Sequence, residues 1–250
     1  MSDDSKTIIF YDFPSKKAGV NGWNPNTWKT RFSLNYKGIP YKTVWVEYPD
    51  VEPTLKALGA RPTKKKPDGS PMYTLPAISD PSTGAIITES FDIAQYLDKT
   101  YPDKPILPQG TKALQAAFLG TLRSNTRSFF PFGLLMTCEQ LLNSKSEVYF
   151  REVRKNDVLA GKTVDEVYPR GERAKEEWKN VEEGLGNIDK LMSKEDKFIM
   201  GDTVSFADFV VGGYLQWAKN GWGEDSEQWK DMATWHGGRW GRLVKALEAL

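Results

Sequence analysis

The apolar positions of the chain change period once. From Thr7 to Tyr101 they come as short β-branched and aromatic runs separated by helical stretches; beyond Gly110 they recur at steps of three and four without strand alternation. Thr7 to Tyr11 (Thr-Ile-Ile-Phe-Tyr) reads as a buried first strand. Trp28, Phe32, Asn35 and Tyr36 then follow at helical spacing. Asn24 stands as N-cap, Pro25 at the first helical position and Gly38 just past the end, which bounds that helix on both sides. Tyr41 to Val46 predicts a second strand, and Val51 to Leu58 a short helix closed by Gly59. Ala60 to Tyr73 carries prolines and lysines with no period and reads as a long loop. Two very short strands, Ala77 to Ser79 and Ala85 to Thr88, flank a turn from Asp80 to Gly84, and a helix runs from Ser90 to Tyr101.

That order, βαβα then ββα, predicts an α/β thioredoxin-like domain over residues 1–101. Residues 102–110, with three prolines, read as a linker, and residues 111–250 as an all-helical domain. In that domain a long helix from Lys112 to Asn143, kinked at Pro131, places Phe118, Leu122, Asn125, Phe129, Phe132 and Met136 on one face. Further helices are predicted over Arg170 to Met192, Phe206 to Asn220 and Glu227 to Leu250, the last broken near Gly237 and Gly238. Ser205 and Asp208 have capping-box spacing, with Val204 and Phe209 placed as a hydrophobic staple.

Composition narrows the function classes. The chain has 250 residues, 39% hydrophobic and 27% charged, with a net charge of +1, so it can fill a core unaided and has no charge excess that would recruit nucleic acid or an anionic membrane. The basic run Lys64 to Lys66 sits among Pro62, Pro67, Asp68 and Gly69 and reads as a solvated loop. One cysteine, Cys138, excludes an internal disulfide and points to a reducing, cytoplasmic location; the start of the chain, Met1 to Lys6, lacks the apolar core of a signal peptide. The one histidine, His236, cannot found a histidine-cluster metal site, and no metal is expected. Without a Cys-x-x-Cys pair, thioredoxin-type dithiol exchange is excluded.

The candidate chemistry gathers around Leu75 to Ser90. A proline at position 76, just before a short strand, leaves the Leu75 backbone groups free to pair with an extended peptide. Glu89 supplies an anion, and Ser90, read as an N-cap hydroxyl beside free helix N–H groups, a place for a carboxylate. A small peptide with an ammonium and a carboxylate at one end fits this pair.

Leu-Pro-Ala-Ile followed by Glu-Ser, the Trp23-Asn-Pro-Asn segment and the Gly201 to Asp208 capping box occur in the order seen in the cytosolic glutathione transferases, and the chain resembles that family. The segments Trp23 to Arg31 and Tyr41 to Asp50 are most similar to the fungal A class of wood-decay fungi, itself related to bacterial glutathione-dependent β-etherases. The resemblance implies glutathione as co-substrate, held by Trp23, Asn26, Leu75, Pro76, Glu89 and Ser90, and a homodimer. It implies transfer of the glutathione sulfur to aromatic or phenolic electrophiles, with hydrophobic ligands met by Phe129, Phe132 and Met136. It puts Asn24 where many relatives have serine or cysteine. A thiol of pKa about 8.5 needs roughly 2.7 kcal/mol of preferential anion stabilisation to reach about 6.5, and a helix N-terminus gives about 2 kcal/mol at most, so a further donor is required. The Asn24 amide is the first candidate and Tyr11 the second; Asn24 as a plain helix cap is compatible with either. The departure from serine or cysteine leaves two other readings open: a carrier of aromatic compounds with little turnover, or a scaffold that no longer binds glutathione.

Overall fold

The computed structural model describes residues 6–66 and 68–250. The expected leaderless start at residues 1–5, and Pro67 of the loop, lie outside the described residues. In chain order the first part comprises β1 (Ile8–Asp12), α1 (Pro25–Lys37), β2 (Tyr41–Trp45), a 3-10 turn at Tyr48–Asp50, α2 (Val51–Ala57), β3 (Lys64–Lys65), β4 (Pro71–Met72), β5 (Ala77–Asp80), β6 (Ala85–Thr88) and α3 (Ser90–Thr100). Four strands form one sheet in the order β2-β1-β5-β6. The β1–β2 pair is parallel, with Ile8 opposite Tyr41; β1–β5 and β5–β6 are antiparallel, with Tyr11 opposite Ala77 and Ala77 opposite Thr88. This is the mixed sheet expected of a thioredoxin-like domain.

The boundary signals of α1 act as read. Asn24 Oδ1 accepts the Asn26 N–H at 2.8 Å, and Gly38, at φ 67°, turns its N–H back onto Asn35 and Leu34. The Ala60 to Tyr73 stretch departs from expectation, because it contains the small hairpin β3–β4. Each strand has two residues, too short for an alternation to show, and the pairing is finished by Thr63, whose N–H and hydroxyl both reach Met72 O.

The helical part comprises α4 (Lys112–Asn125), α5 (Phe129–Met136), a π turn at Thr137–Leu141, α6 (Ser144–Asp157), α7 (Val164–Val167), α8 (Glu172–Asp189), α9 (Phe206–Trp222) and α10 (Glu227–Glu248). The single long helix expected over Lys112 to Asn143 is therefore corrected to two helices and a π turn. The break falls at Asn125 and Thr126, where Asn125 Nδ2 bonds Thr121 O and Thr126 Oγ1 bonds Leu122 O, side chains competing with the backbone ladder. Pro131 makes no kink because it lies in the first turn of α5, where no intrahelical donor is needed. Helix α6 escaped sequence reading because it buries only Ser146 and Phe150, and α7 is a single turn. In α10 the expected break is present, with Trp235 to Gly238 outside helical geometry and His236 at φ 53°.

Helix α9 positions the first domain. It is buried along nearly all its length and packs on α1, with Phe209 against Phe32 at 5.9 Å. A Cβ on Gly213 would meet Pro25 O at 2.5 Å, so the glycine lets α9 approach the first turn of α1. The capping box that starts α9 is formed: buried Asp208 accepts from Ser205 N and Ile199 N, and burial pushes its carboxyl up to about 6, still ionised at neutral pH. At the other end, Lys17 Nζ donates to Asn220 O and Gly221 O while Asn220 Nδ2 bonds Gly22 O, tying the loop that enters α1 to the end of α9. Among the described residues no helix is long and apolar enough to cross a membrane.

Candidate active site

Two helix N-termini and the start of β5 make up the candidate site. At the first, Asn24 caps α1 with its Oδ1 and donates from Nδ2 to the Tyr48 hydroxyl at 3.3 Å. The Asn26 N–H is thereby committed to the cap and is not a free donor for a thiolate. Pro25 has no N–H and the Trp28 N–H bonds Asn24 O, so Thr27 carries the first-turn N–H without a backbone partner among the described residues. Trp23 is also corrected. Its ring is 1% exposed, packs with Phe13 and Tyr48, and gives its indole N–H to Pro14 O, so it offers a ligand only its backbone.

The Leu75-Pro76 bond is cis and Pro76 is buried. Leu75 lies beyond the last register pair of the β1–β5 ladder, and its N–H and C=O have no partner among the described residues. The edge expected to pair with an extended peptide is therefore open. At the second helix N-terminus the register is one residue off the sequence reading: Glu89, at φ 70°, is the N-cap of α3, and Ser90 is its first residue. Ser90 is 5% exposed, whereas the Glu89 carboxylate is exposed and accepts from Thr74 Oγ1 at 3.2 Å. A cleft of about 460 Å³ opens on the β6 side of Glu89, lined among others by Arg61, Thr63, Thr88 and Asp92; Asn24 is not in its wall.

Two residues that sequence reading missed stand at the first turn of α1. Lys29 is nearly buried, and its ammonium donates to Asn26 Oδ1 at 2.8 Å; burial lowers its pKa to about 8, opposed by the charge of Glu89. Tyr48 stacks on Phe13 at 4.1 Å and receives the Asn24 amide, while burial raises its pKa and keeps the phenol protonated. A signal for Lys29 did exist: α1 runs Trp-Lys-Thr-Arg-Phe-Ser without a polar face, so some of its charges had to be buried.

The other candidates fall to packing. Tyr11 is buried in the sheet. Phe129 packs on Tyr214 and Trp217, Phe132 on Tyr168 and Trp178, and Met136 fills the space over Gly221, so these three build the core of the helical domain rather than wall an open pocket. Cys138 is fully buried and its thiol is pushed up to about 11, as suits an inert core cysteine. His236 Nδ1 accepts the Trp240 indole N–H, a structural contact that holds the bend of α10.

Known proteins place this geometry. The family model for the glutathione S-transferase N-terminal domain matches residues 23–100, and that for the glutathione S-transferase C-terminal domain matches residues 113–250. The chain belongs to the glutathione S-transferase family. A glutathione S-transferase-like protein of Aspergillus flavus, UstS, is 31% identical over 260 residues, covering 93% of this chain and 90% of the relative. A glutathione S-transferase of Ceriporiopsis subvermispora, solved in complex with glutathione, superposes with a TM-score of 0.91 at 42% identity over 97% of both chains. Glutathione transferase GSTFuA3 of Phanerochaete chrysosporium gives 0.89 at 40% identity, over 98% of this chain and 97% of that one. The resemblance to fungal enzymes drawn from the sequence motifs is therefore confirmed. The β-etherase LigF of a Sphingobium species, at 15% identity and a TM-score of 0.61, shares the fold.

Proposed function

We propose that this glutathione transferase holds the γ-glutamyl end of glutathione at Glu89 and Ser90, pairs the cysteinyl backbone with Leu75 beside Pro76, and places the sulfur at the N-terminus of α1 near Asn24. The observation that carries the reading is the conjunction of a cis Leu75-Pro76 bond, whose Leu75 edge has no backbone partner among the described residues, with the Asn24-capped start of α1 and the exposed Glu89 at the start of α3. The reaction is attack of the thiolate on an electrophilic aromatic or unsaturated carbon. At an aromatic carbon the new S–C bond forms and the leaving group departs with its electron pair, the thiol proton passing to solvent; at an unsaturated carbon the π pair shifts to the electron-withdrawing group as the S–C bond forms, and a proton from solvent replaces the one the thiol lost. The second Nδ2 hydrogen of Asn24 and the Thr27 N–H supply the donors that the anion requires beyond the helix field. Aromatic and phenolic electrophiles, a cytoplasmic location and a homodimer complete the reading.

One observation favours the carrier alternative. Asn24 spends its Oδ1 on the helix cap and one amide hydrogen on Tyr48, so what remains for the sulfur is a single amide hydrogen, with no hydroxyl or thiol at this position. Turnover of an activated aryl halide and of a phenacyl thioether, with displacement of a fluorescent dye in parallel, separates the two. Absent turnover with micromolar ligand binding selects the carrier. Within either reading, Ser90→Ala weakens glutathione binding by about 1 to 3 kcal/mol, the cost of a carboxylate contact left unmade. Calorimetry showing unchanged affinity removes Ser90 from the site.

A further inference from the structure

Helix α6 buries Ser146 and Phe150, one turn apart on a single face. Both meet the segment that follows β2. Ser146 Oγ accepts the Tyr48 N–H at 2.9 Å and donates to Glu47, and Phe150 stands edge-on to the Tyr48 ring at 5.2 Å. Asn143 Nδ2 donates to the other Glu47 oxygen at 2.6 Å, and Lys145 pairs with Asp50 at 2.7 Å. The buried face of α6 is thus spent on holding Tyr48.

The first domain fixes the rest of that residue. The Tyr48 ring stacks on Phe13 with planes 14° from parallel, and Trp23 leans on it at 6.3 Å. Its hydroxyl accepts from Asn24 Nδ2 at 3.3 Å. An asparagine amide turns in a broad torsional well, so the cap bond made by Oδ1 leaves the Nδ2 hydrogens room to swing. A second point of attachment fixes the amide plane. With one Nδ2 hydrogen on Tyr48, the trigonal nitrogen gives the other a single direction. The ionisable groups nearby leave this contact in place. Arg154 of α6 faces the phenol, opposes the rise that burial causes, and is itself paired with Asp157 and laid over Phe150. Cys138 of the π turn stays a neutral thiol, Glu47 is taken up by Ser146 and Asn143, and Lys29 donates to Asn26 Oδ1.

We propose that Tyr48 is a positioning residue for the thiolate: its hydroxyl holds the Asn24 amide so that the second Nδ2 hydrogen stays aimed at the glutathione sulfur, and α6 sets where Tyr48 stands. This rests on the reading above that seats the sulfur near Asn24, and deepens it. A donor fixed before the anion forms needs no reorganisation when it does, which is how a single amide hydrogen serves where a hydroxyl or thiol is absent. The helical domain then acts on the sulfur through contacts that run from Ser146 to Tyr48 to Asn24.

Tyr48→Phe keeps the ring stack and deletes the oxygen. Three readouts are taken: the thiol titration of bound glutathione by ultraviolet absorbance of the thiolate, kcat/KM for an activated aryl halide across pH, and calorimetric binding of S-methylglutathione, which has no thiol to ionise. Losing the held hydrogen raises the pKa of the bound thiol, so thiolate is depleted at neutral pH and restored at alkaline pH. Tyr48→Phe is expected to lower kcat/KM about 3- to 10-fold at neutral pH, with the loss recovered at alkaline pH and S-methylglutathione affinity unchanged. Ser146→Ala moves the titration the same way by less, and an unmoved titration there strikes the part given to α6. In an Asn24→Ala background Tyr48→Phe adds nothing, because the group it holds is gone. A cost as large in that background as in wild type overturns the inference, as does a loss of S-methylglutathione affinity equal to the loss of kcat/KM, which marks packing alone. If wild type fails to bind glutathione, or Asn24→Ala leaves the thiol titration unmoved, the function reading falls and this inference with it. A titration moved by Asn24→Ala and unmoved by Tyr48→Phe removes Tyr48 alone.

Discussion

Asp12→Ala is expected to destabilise the protein by about 3 to 5 kcal/mol, because it leaves a buried guanidinium without its counter-ion. Asp12 is fully buried at the end of β1 and accepts Arg31 Nη2 at 2.7 Å and the Phe13 N–H at 2.7 Å. Burial raises its pKa, and the Arg31 charge opposes that rise. Arg31 has little else to fall back on. Its Nη1 reaches the Tyr41 hydroxyl at 3.2 Å, its Nε is buried without a partner, and its plane lies among Phe10, Trp28, Tyr41 and Trp45. The pair also fixes the approach to the site, since a Cβ on Gly22 would stand 2.8 Å from Asp12 Oδ2. Urea unfolding or thermal denaturation checks this, at about 2 to 4 °C of Tm per kcal/mol for a chain of this size. The double variant Asp12→Leu with Arg31→Met should recover most of the loss, since replacing both charges removes the desolvation problem. A single variant within about 1 kcal/mol of wild type would show that water reaches Arg31 and compensates it.

Glu89→Gln is expected to lower glutathione affinity by about 2 to 3 kcal/mol, roughly 30- to 150-fold, by deleting the charge that meets the ligand ammonium. The exposure of Glu89 keeps this figure below that of a buried pair. The substitution is nearly isosteric, keeps the acceptor for Thr74 Oγ1 and makes no new demand on a backbone already at φ 70°. Folding stability should therefore stay close to wild type, so calorimetry reads the site alone. Affinity reduced equally for glutathione and for glutaryl-cysteinylglycine would place the ligand ammonium elsewhere.

Much of the first domain was legible because its boundaries are marked by residues with a single physical use. Asn24, Pro25 and Gly38 set α1; Pro76 marks the entry to β5; Ser205 and Asp208 start α9. Each of these acts locally, so a linear reading suffices. The β3–β4 hairpin was not legible, since two-residue strands carry no period and are held by Thr63 and Met72. The split of the long helix turned on competition from Asn125 and Thr126 side chains, which pattern counting scores as neutral. Of the candidate site, Glu89, Ser90 and Leu75 were readable from order and spacing. Tyr48 was not, because its role comes from burial and from Asn24, more than twenty positions away; for Lys29 the missing polar face of α1 signalled burial of a charge but not which charge. Phe129, Phe132 and Met136 share a face as expected, but the sequence has no sign that Trp178, Tyr168 and Trp217 cover it.

The placement of the tripeptide is tested most directly by a crystal structure of the protein with glutathione. The account predicts the cysteinyl backbone paired with Leu75, the α-ammonium on Glu89, and the sulfur within hydrogen-bond reach of Asn24 Nδ2 or the Thr27 N–H. Glutathione lying instead in the cleft between Arg61 and Asp92, with its sulfur away from the first turn of α1, would contradict it.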